Sequence, residues 1–288
     1  MSRTVARRRG RRIGRLLPHL VLLAGIGIVA FPVYLALVAS THDAATIANG
    51  QMPLTPGSHG FETYYRALFV GTSGTTRQPV IGMLWNSFLM AMIIAAGKIA
   101  ISLLSAYAVV YFRFPLRKTA FWLIFVTLML PVEVRIYPTY KIVADLGMLD
   151  TMAGLTIPLI ASATATLLFR QFFMTIPDEL VEASKIDGAG PIRFFVDTVL
   201  PLSRTTMAAL FVILFIYGWN QYLWPVLITT RDDMQTIVIG IKKMIVTSDA
   251  LTEWQIVMAT AILAMLPPVA IVVGMQKLFV RGLVETEK

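Results

Sequence analysis

Six separated apolar runs, at 16–39, 85–111, 120–137, 153–174, 205–228 and 255–279, decide what this chain can fold into. A helix of roughly 20 residues crosses a hydrocarbon layer of about 30 Å, and each run is close to or above that length. In lipid every backbone amide and carbonyl must be paired within the protein, so runs of this kind fold as helices. The expected class is all-α, a polytopic membrane protein with six transmembrane helices. Charged residues are only 14% of the chain, where a soluble domain has about a quarter.

Orientation follows from the basic residues. With the amino terminus in the cytoplasm, 17 Lys and Arg lie on the cytoplasmic side, 7 lie outside, and Lys98 falls within a run. The positive-inside rule then places both termini in the cytoplasm. The same distribution accounts for the net charge of +9 without nucleic acid, because the cations sit at membrane edges and not among stacking aromatics. Residues 2–15 carry seven arginines and no acid. Arg11 and Arg12 are compatible with a twin-arginine export signal, but the apolar run that follows is long and lacks a small-residue cleavage site, so a retained first span is expected. The chain has no cysteine, so disulfides and thiolate metal sites do not enter.

Residues 177–201 are the longest polar-containing segment between the apolar runs of the last two thirds. They read as a helix, a turn at Gly188 and a second helix. Asp178 or its neighbour can cap the first helix, and Gly188 suits its C-terminal stop. Pro191 fits the first turn of the second, and Pro201 ends it.

Within this segment, Glu182-Ala183-Ser184, Asp187-Gly188-Ala189 and Leu200-Pro201 resemble the EAA motif of permease subunits in bacterial ATP-binding-cassette importers, with Ser184 where the family most often has alanine. The resemblance extends over essentially the whole chain. Met129-Leu-Pro-Val-Glu-Val-Arg135, Leu168 to Met174, Pro177 to Ala183, Ile216 to Pro225 and Phe279 to Val284 are similar to the carbohydrate-uptake branch, and most of all to permeases of glycerol-3-phosphate importers. This implies a basic cytoplasmic N-terminus at 1–15, a transmembrane permease domain at 16–279 with its coupling segment at 178–200, and a cytoplasmic tail at 280–288. It also implies a bacterial plasma membrane location, a second and different permease subunit, a homodimer of ATPase subunits and an extracytoplasmic substrate-binding protein. Glu182, Ala183, Ser184, Asp187, Gly188 and Ala189 would dock on the ATPase, whose bound ATP and magnesium supply the energy. The implied cargo is sn-glycerol-3-phosphate or glycerophosphodiesters.

Several residues are candidates for the transport path. Lys98 lies mid-run, where a charge costs at least about 2.5 kcal/mol, so it should face protein or water and have a partner. It either forms a structural pair or attracts an anionic cargo. Glu133 and Arg135, between Pro131 and Pro138, point to different helix faces and suit an external rim. Trp219, Asn220, Gln221 and Trp224 lie in a stretch that resembles the Trp-Asn-x-x-x-Trp-Pro run of the same permeases, and the tryptophans read as interfacial belt or as cargo lining. In the loop 40–82 a short helix is expected at 61–70, and the loop is either a solvated connection or a receiving surface. In 229–253, Ile237, Ile241, Met244 and Ile245 share a helix face beside Lys242 and Lys243, which suits a membrane-surface helix or contact with an external binding protein.

The chain has no Gly-x4-Gly-Lys-Ser/Thr loop, and its three histidines have no metal-site spacing, so a non-enzymatic subunit that binds no cofactor of its own is expected. Two alternatives remain: a permease for a neutral sugar contacted by Trp219 and Asn220, and a stand-alone secondary transporter or channel. Against the second stand the coupling motif, the lack of internal repeats and the lack of a chain of intramembrane acids.

Overall fold

The computed structural model describes residues 2–72, 78–127, 130–245 and 252–284, with side chains for all of these except 2–17, 132, 133 and 279–284. Among the described residues every regular element is helical. They are α1 (Ser2–Ala39), α2 (Ala44–Ala48), α3 (Gly60–Tyr65), α4 (Val80–Tyr111), α5 (Arg117–Val126), α6 (Val132–Asp145), α7 (Met152–Thr156), α8 (Ala163–Phe173), α9 (Asp178–Ile186), α10 (Pro191–Phe194), α11 (Leu200–Leu202), α12 (Arg204–Trp219), α13 (Leu223–Ile228), α14 (Ile237–Ile245) and α15 (Trp254–Val284).

Three helices, at Pro18–Ala39, Val80–Tyr111 and Trp254–Leu278, are each long and apolar enough to cross a membrane. The run at 153–174 is a bent helix pair, and the run at 205–228 begins with α12, which is bent against the helical segment before it. Met152–Leu159 meets Ala163–Phe173 at 47°, and Pro191–Leu202 meets Arg204–Trp219 at 69°, which raises the number of candidate spans to five. The run at 120–137 is divided: α5 covers 10 residues, and α6 starts afresh behind Pro131, which has no amide hydrogen to continue a helix. Pro267 and Pro268 lie inside a continuous α15, although proline in a helix interior usually kinks or breaks it.

The chain forms two compact units. In the unit made of Met1–Pro79 and Lys243–Leu263, the connection after α1 folds back on the end of that helix. Tyr34 donates to the Leu54 carbonyl at 2.6 Å, and the Gly57 amide donates to the Thr41 hydroxyl at 2.8 Å. The helix expected at 61–70 is present as α3, which widens into a π-turn over Arg66–Val70. Arg66 there meets Glu253 at 2.9 Å.

In the unit made of Val80–Lys242 and Ala264–Lys288, α4 is the central element and packs most extensively against α12 and α8. A core cluster joins Met90 and Ile94 of α4 to Val143, Leu155, Trp224 and Ile228. The start of α14 packs inward against α4. Ile237 and Ile239 are buried, and the Ile237 amide donates to the Ser87 hydroxyl of α4 at 2.8 Å. A buried amide needs such a partner, and the amphipathic pattern alone did not show which face supplied it.

Candidate functional site

Residues 177–201 form a capped turn between two helices. Pro177 precedes α9, so Asp178 and Glu179 occupy its first turn, where they favour the helix dipole without capping by side chain. At the other end Gly188 adopts φ +72, its amide donates to the Lys185 carbonyl at 3.0 Å, and the Ala189 amide donates to Ser184 at 2.9 Å. This is a Schellman stop, and it requires the left-handed conformation that glycine adopts without penalty. Pro201 does not end the second helix. The helical run continues through α10, a π-turn at Phe195–Val199 and α11, and it bends only at Ser203.

Glu182, Ala183, Asp187 and Gly188 are exposed, while Ser184 and Ala189 are half-buried. Beside them two large apolar side chains stand in the open, Ile186 at 86% exposure and Ile192 at 80%. Burying either would contribute about 1.5–3 kcal/mol. The segment therefore presents a carboxylate and two uncovered isoleucines together.

Two tyrosines at the end of α4 hold this segment, and the sequence reading passed over both. Tyr107 is buried and donates to the Pro191 carbonyl at 2.7 Å; Tyr111 donates to the Phe173 carbonyl at 3.3 Å. Their rings pack on Phe195 and Phe194, with centroids 4.8 Å and 5.3 Å away. Behind α9 lies a cavity of about 270 Å3 with Tyr107, Tyr111 and Phe112 on one side and Val181, Ser184 and Lys185 on the other. α9 is thus tied at its flanks and backed by a cavity. The readable signal was a pair of tyrosines four residues apart, which share a helix face.

The path candidates separate into two groups. Trp219 and Trp224 are core residues: Trp219 stacks on Phe215 at 5.9 Å, and Trp224, only 4% exposed, donates its indole N–H to the Gly154 carbonyl at 3.1 Å. Both are buried within this chain. Asn220 follows α12 and is exposed, and Gln221 donates to the Tyr217 carbonyl at 3.2 Å. Arg135 lies exposed on α6, and the side chain of Glu133 falls outside the described residues.

Lys98 is buried at 7% exposure, and its ammonium sits 3.7 Å from the centroid of the Tyr217 ring. The neighbouring Gly97 packs so closely on Ile160 that an added Cβ would come within 2.7 Å of it. One turn further along α4, Ser102 donates to the Ser162 carbonyl at 3.1 Å, at the break that precedes α8. Among the described residues no carboxylate forms an ion pair with Lys98, and the charge that reaches it belongs to another cation, Arg135. No group of three or more His, Asp or Glu suited to a metal ion occurs among the described residues.

Residues 98–285 match the family described as the binding-protein-dependent transport system inner membrane component. The chain is 59% identical over 278 residues to the sn-glycerol-3-phosphate transport system permease protein UgpE of Brucella melitensis biotype 1, covering 96% of this chain and 99% of that one. The protein of the same description from Rhizobium meliloti is also 59% identical over 96% of this chain and 99% of its own. That from Escherichia coli O157:H7 is 58% identical, over 94% and 96%. A chain of a bacterial ABC transporter involved in the import of the acidic polysaccharide alginate has the same fold, with a TM-score of 0.80 over 93% of this chain and 97% of its own at 20% identity.

Proposed function

The chain belongs to the family of inner membrane components of binding-protein-dependent transport systems, and on that premise we propose that it is the permease subunit of an ATP-driven importer of sn-glycerol-3-phosphate or glycerophosphodiesters. The observation that carries this reading is the 59% identity to a glycerol-3-phosphate permease over 99% of that relative's length. The subunit moves cargo and performs no chemistry of its own. A second, different permease completes the pathway, an external binding protein delivers the cargo, and a pair of ATPase subunits binds ATP and magnesium.

The proposed topology has six crossings with both termini in the cytoplasm of a bacterial cell, the chain lying in the inner membrane. The third crossing is the run at 120–137, which takes in most of α5 and the first part of α6. The coupling segment, 178–200, then lies on the cytoplasmic face. Glu182, Ala183, Ser184, Asp187, Gly188 and Ala189 are its ATPase contacts, and Ile186 and Ile192 supply apolar area for docking. ATPase closure pushes this segment, and the permease pair changes from outward to inward access.

The test is ATPase activity of the reconstituted complex with loaded binding protein, comparing glycerol-3-phosphate, glycerophosphodiesters and maltose. Stimulation by the phosphorylated glycerols alone is expected. Stimulation by maltose alone would keep the mechanism and overturn the cargo.

A further inference from the structure

Lys98 is a buried cation without a described carboxylate. A buried charge left without a counter-charge is costly, and a second cation nearby adds to the cost. The cation–π contact with Tyr217 offsets part of it, at about 0.5–2 kcal/mol. The position is also unusual: it is the nineteenth of the 32 residues of α4, close to the middle of that helix. It faces the same way as Ser102, whose hydroxyl reaches the carbonyl of Ser162.

Ser162 marks the break between the two halves of the fourth run. Helices broken at membrane depth are tolerated where the free backbone groups are held by protein or line a cavity. Here the Ser162 carbonyl takes the Ser102 hydroxyl, and the Ser162 hydroxyl accepts from the Ala165 amide at 3.3 Å. The 11-residue helix α8 thus begins beside the Lys98 face of α4, and its first amides carry the positive end of the helix dipole. A buried ammonium and the opening of a helix thus lie along the same stretch of α4 in the middle of an apolar unit.

We propose that Lys98 and the opening turn of α8 form an intramembrane station for the phosphate of the cargo. This rests on the reading of the chain as an importer of glycerol phosphates. In the present state the Tyr217 ring covers the ammonium. Tyr217 is itself 39% exposed, so displacement of that one ring opens the station. The phosphate replaces the ring as the partner of Lys98, and the bend between the halves of the fourth run, at 47°, gives α8 freedom to adjust.

The experiment compares wild type, Lys98→Met and Lys98→Arg in the complete complex, reconstituted in liposomes with saturating loaded binding protein. Uptake of glycerol-3-phosphate, a dianion, is measured beside uptake of glycerophosphocholine, whose single phosphate charge is balanced by choline, together with the melting temperature of each complex. Loss of a charge-assisted contact predicts that Lys98→Met lowers glycerol-3-phosphate uptake about tenfold, and glycerophosphocholine uptake less, while Lys98→Arg restores most of both. The methionine variant should melt no lower than wild type, since it relieves an uncompensated charge. Equal uptake by wild type and Lys98→Met overturns the station alone. So does an equal fall for both cargoes with a lower melting temperature, which makes Lys98 a packing partner, for example of Glu133. Wild-type uptake of maltose in place of either phosphate overturns the parent reading and the station with it.

Discussion

The Tyr107 hydroxyl donates to the Pro191 carbonyl at 2.7 Å, which ties the end of α4 to the first residue of α10. α4 also carries Lys98, nine residues earlier, and contacts both α8 and α12. On the coupling role proposed for 178–200, a push on that segment reaches the middle of the unit through one hydrogen bond and the ring contacts around it. Rigid helices transmit such displacements because packed interfaces change between discrete arrangements and do not deform smoothly.

Tyr107→Phe keeps the ring against Phe194 and Phe195 and removes only the hydroxyl. The expected stability cost is small, about 1 kcal/mol. The expected functional effect is looser coupling: more ATP is hydrolysed for each cargo molecule imported, by a factor of several. The check is the ratio of phosphate released to labelled cargo taken up in liposomes. An unchanged ratio would remove Tyr107 from the transmission path.

Glu182 and Gly188 should fail in different ways. Glu182 is exposed and makes no described contact that folding needs, so Glu182→Ala should leave the melting temperature of the isolated subunit unchanged and abolish stimulation of the ATPase by loaded binding protein. Gly188→Ala forces a left-handed alanine and costs about 1–2 kcal/mol, so it should lower the melting temperature and weaken stimulation together. Calorimetry and ATPase assays on the two variants separate contact from geometry.

Much of this was legible in the residues, and the failures have physical causes. The apolar runs were visible because a span needs length and little else, and Gly188 was visible because few residues tolerate its conformation. The division of 120–137 was hidden because Pro131 reads equally as a kink within one helix or as the start of another. Pro267 and Pro268 were misleading in the opposite direction: surrounding residues of α15 keep the helix continuous across them. Trp224 looked like a belt residue because an aromatic at a run's end usually is. The indole N–H found the Gly154 carbonyl, and that contact depends on a fold no local pattern describes. Tyr107 and Tyr111 were passed over because their hydroxyls matter only once α9 and α10 are placed against them.

Trp224→Phe tests that packing role. It removes an indole donor from a buried site and leaves the Gly154 carbonyl without that partner, at a cost of about 1–3 kcal/mol. The variant should melt lower, and uptake of every cargo should fall by the same factor. A selective change between glycerol-3-phosphate and glycerophosphodiesters would instead make Trp224 a cargo contact.

Asp150 supplies the pH dependence. It sits at φ +54 before α7, and its carboxylate accepts from the Thr230 hydroxyl at 2.6 Å, the Thr230 amide at 2.6 Å and the Arg231 amide at 2.9 Å. The Thr230 hydroxyl, then the Arg231 amide, hold its carboxyl below the usual aspartate range. A carboxyl whose value is depressed in the folded state adds stability that is fully present above the unfolded value of about 3.9, and is lost as pH falls through the lower folded one. The melting temperature in detergent should therefore show no contribution from this group between pH 7 and 5 and a decline in acid. Asp150→Asn keeps the shape and can still accept from both amides through Oδ1, with Nδ2 against the Thr230 hydroxyl, but it loses the carboxylate charge that strengthens these bonds. It should melt lower already at neutral pH and lose part of the acid decline. An acid decline identical to wild type would show that the latch between Asp150 and Thr230 does not titrate with folding.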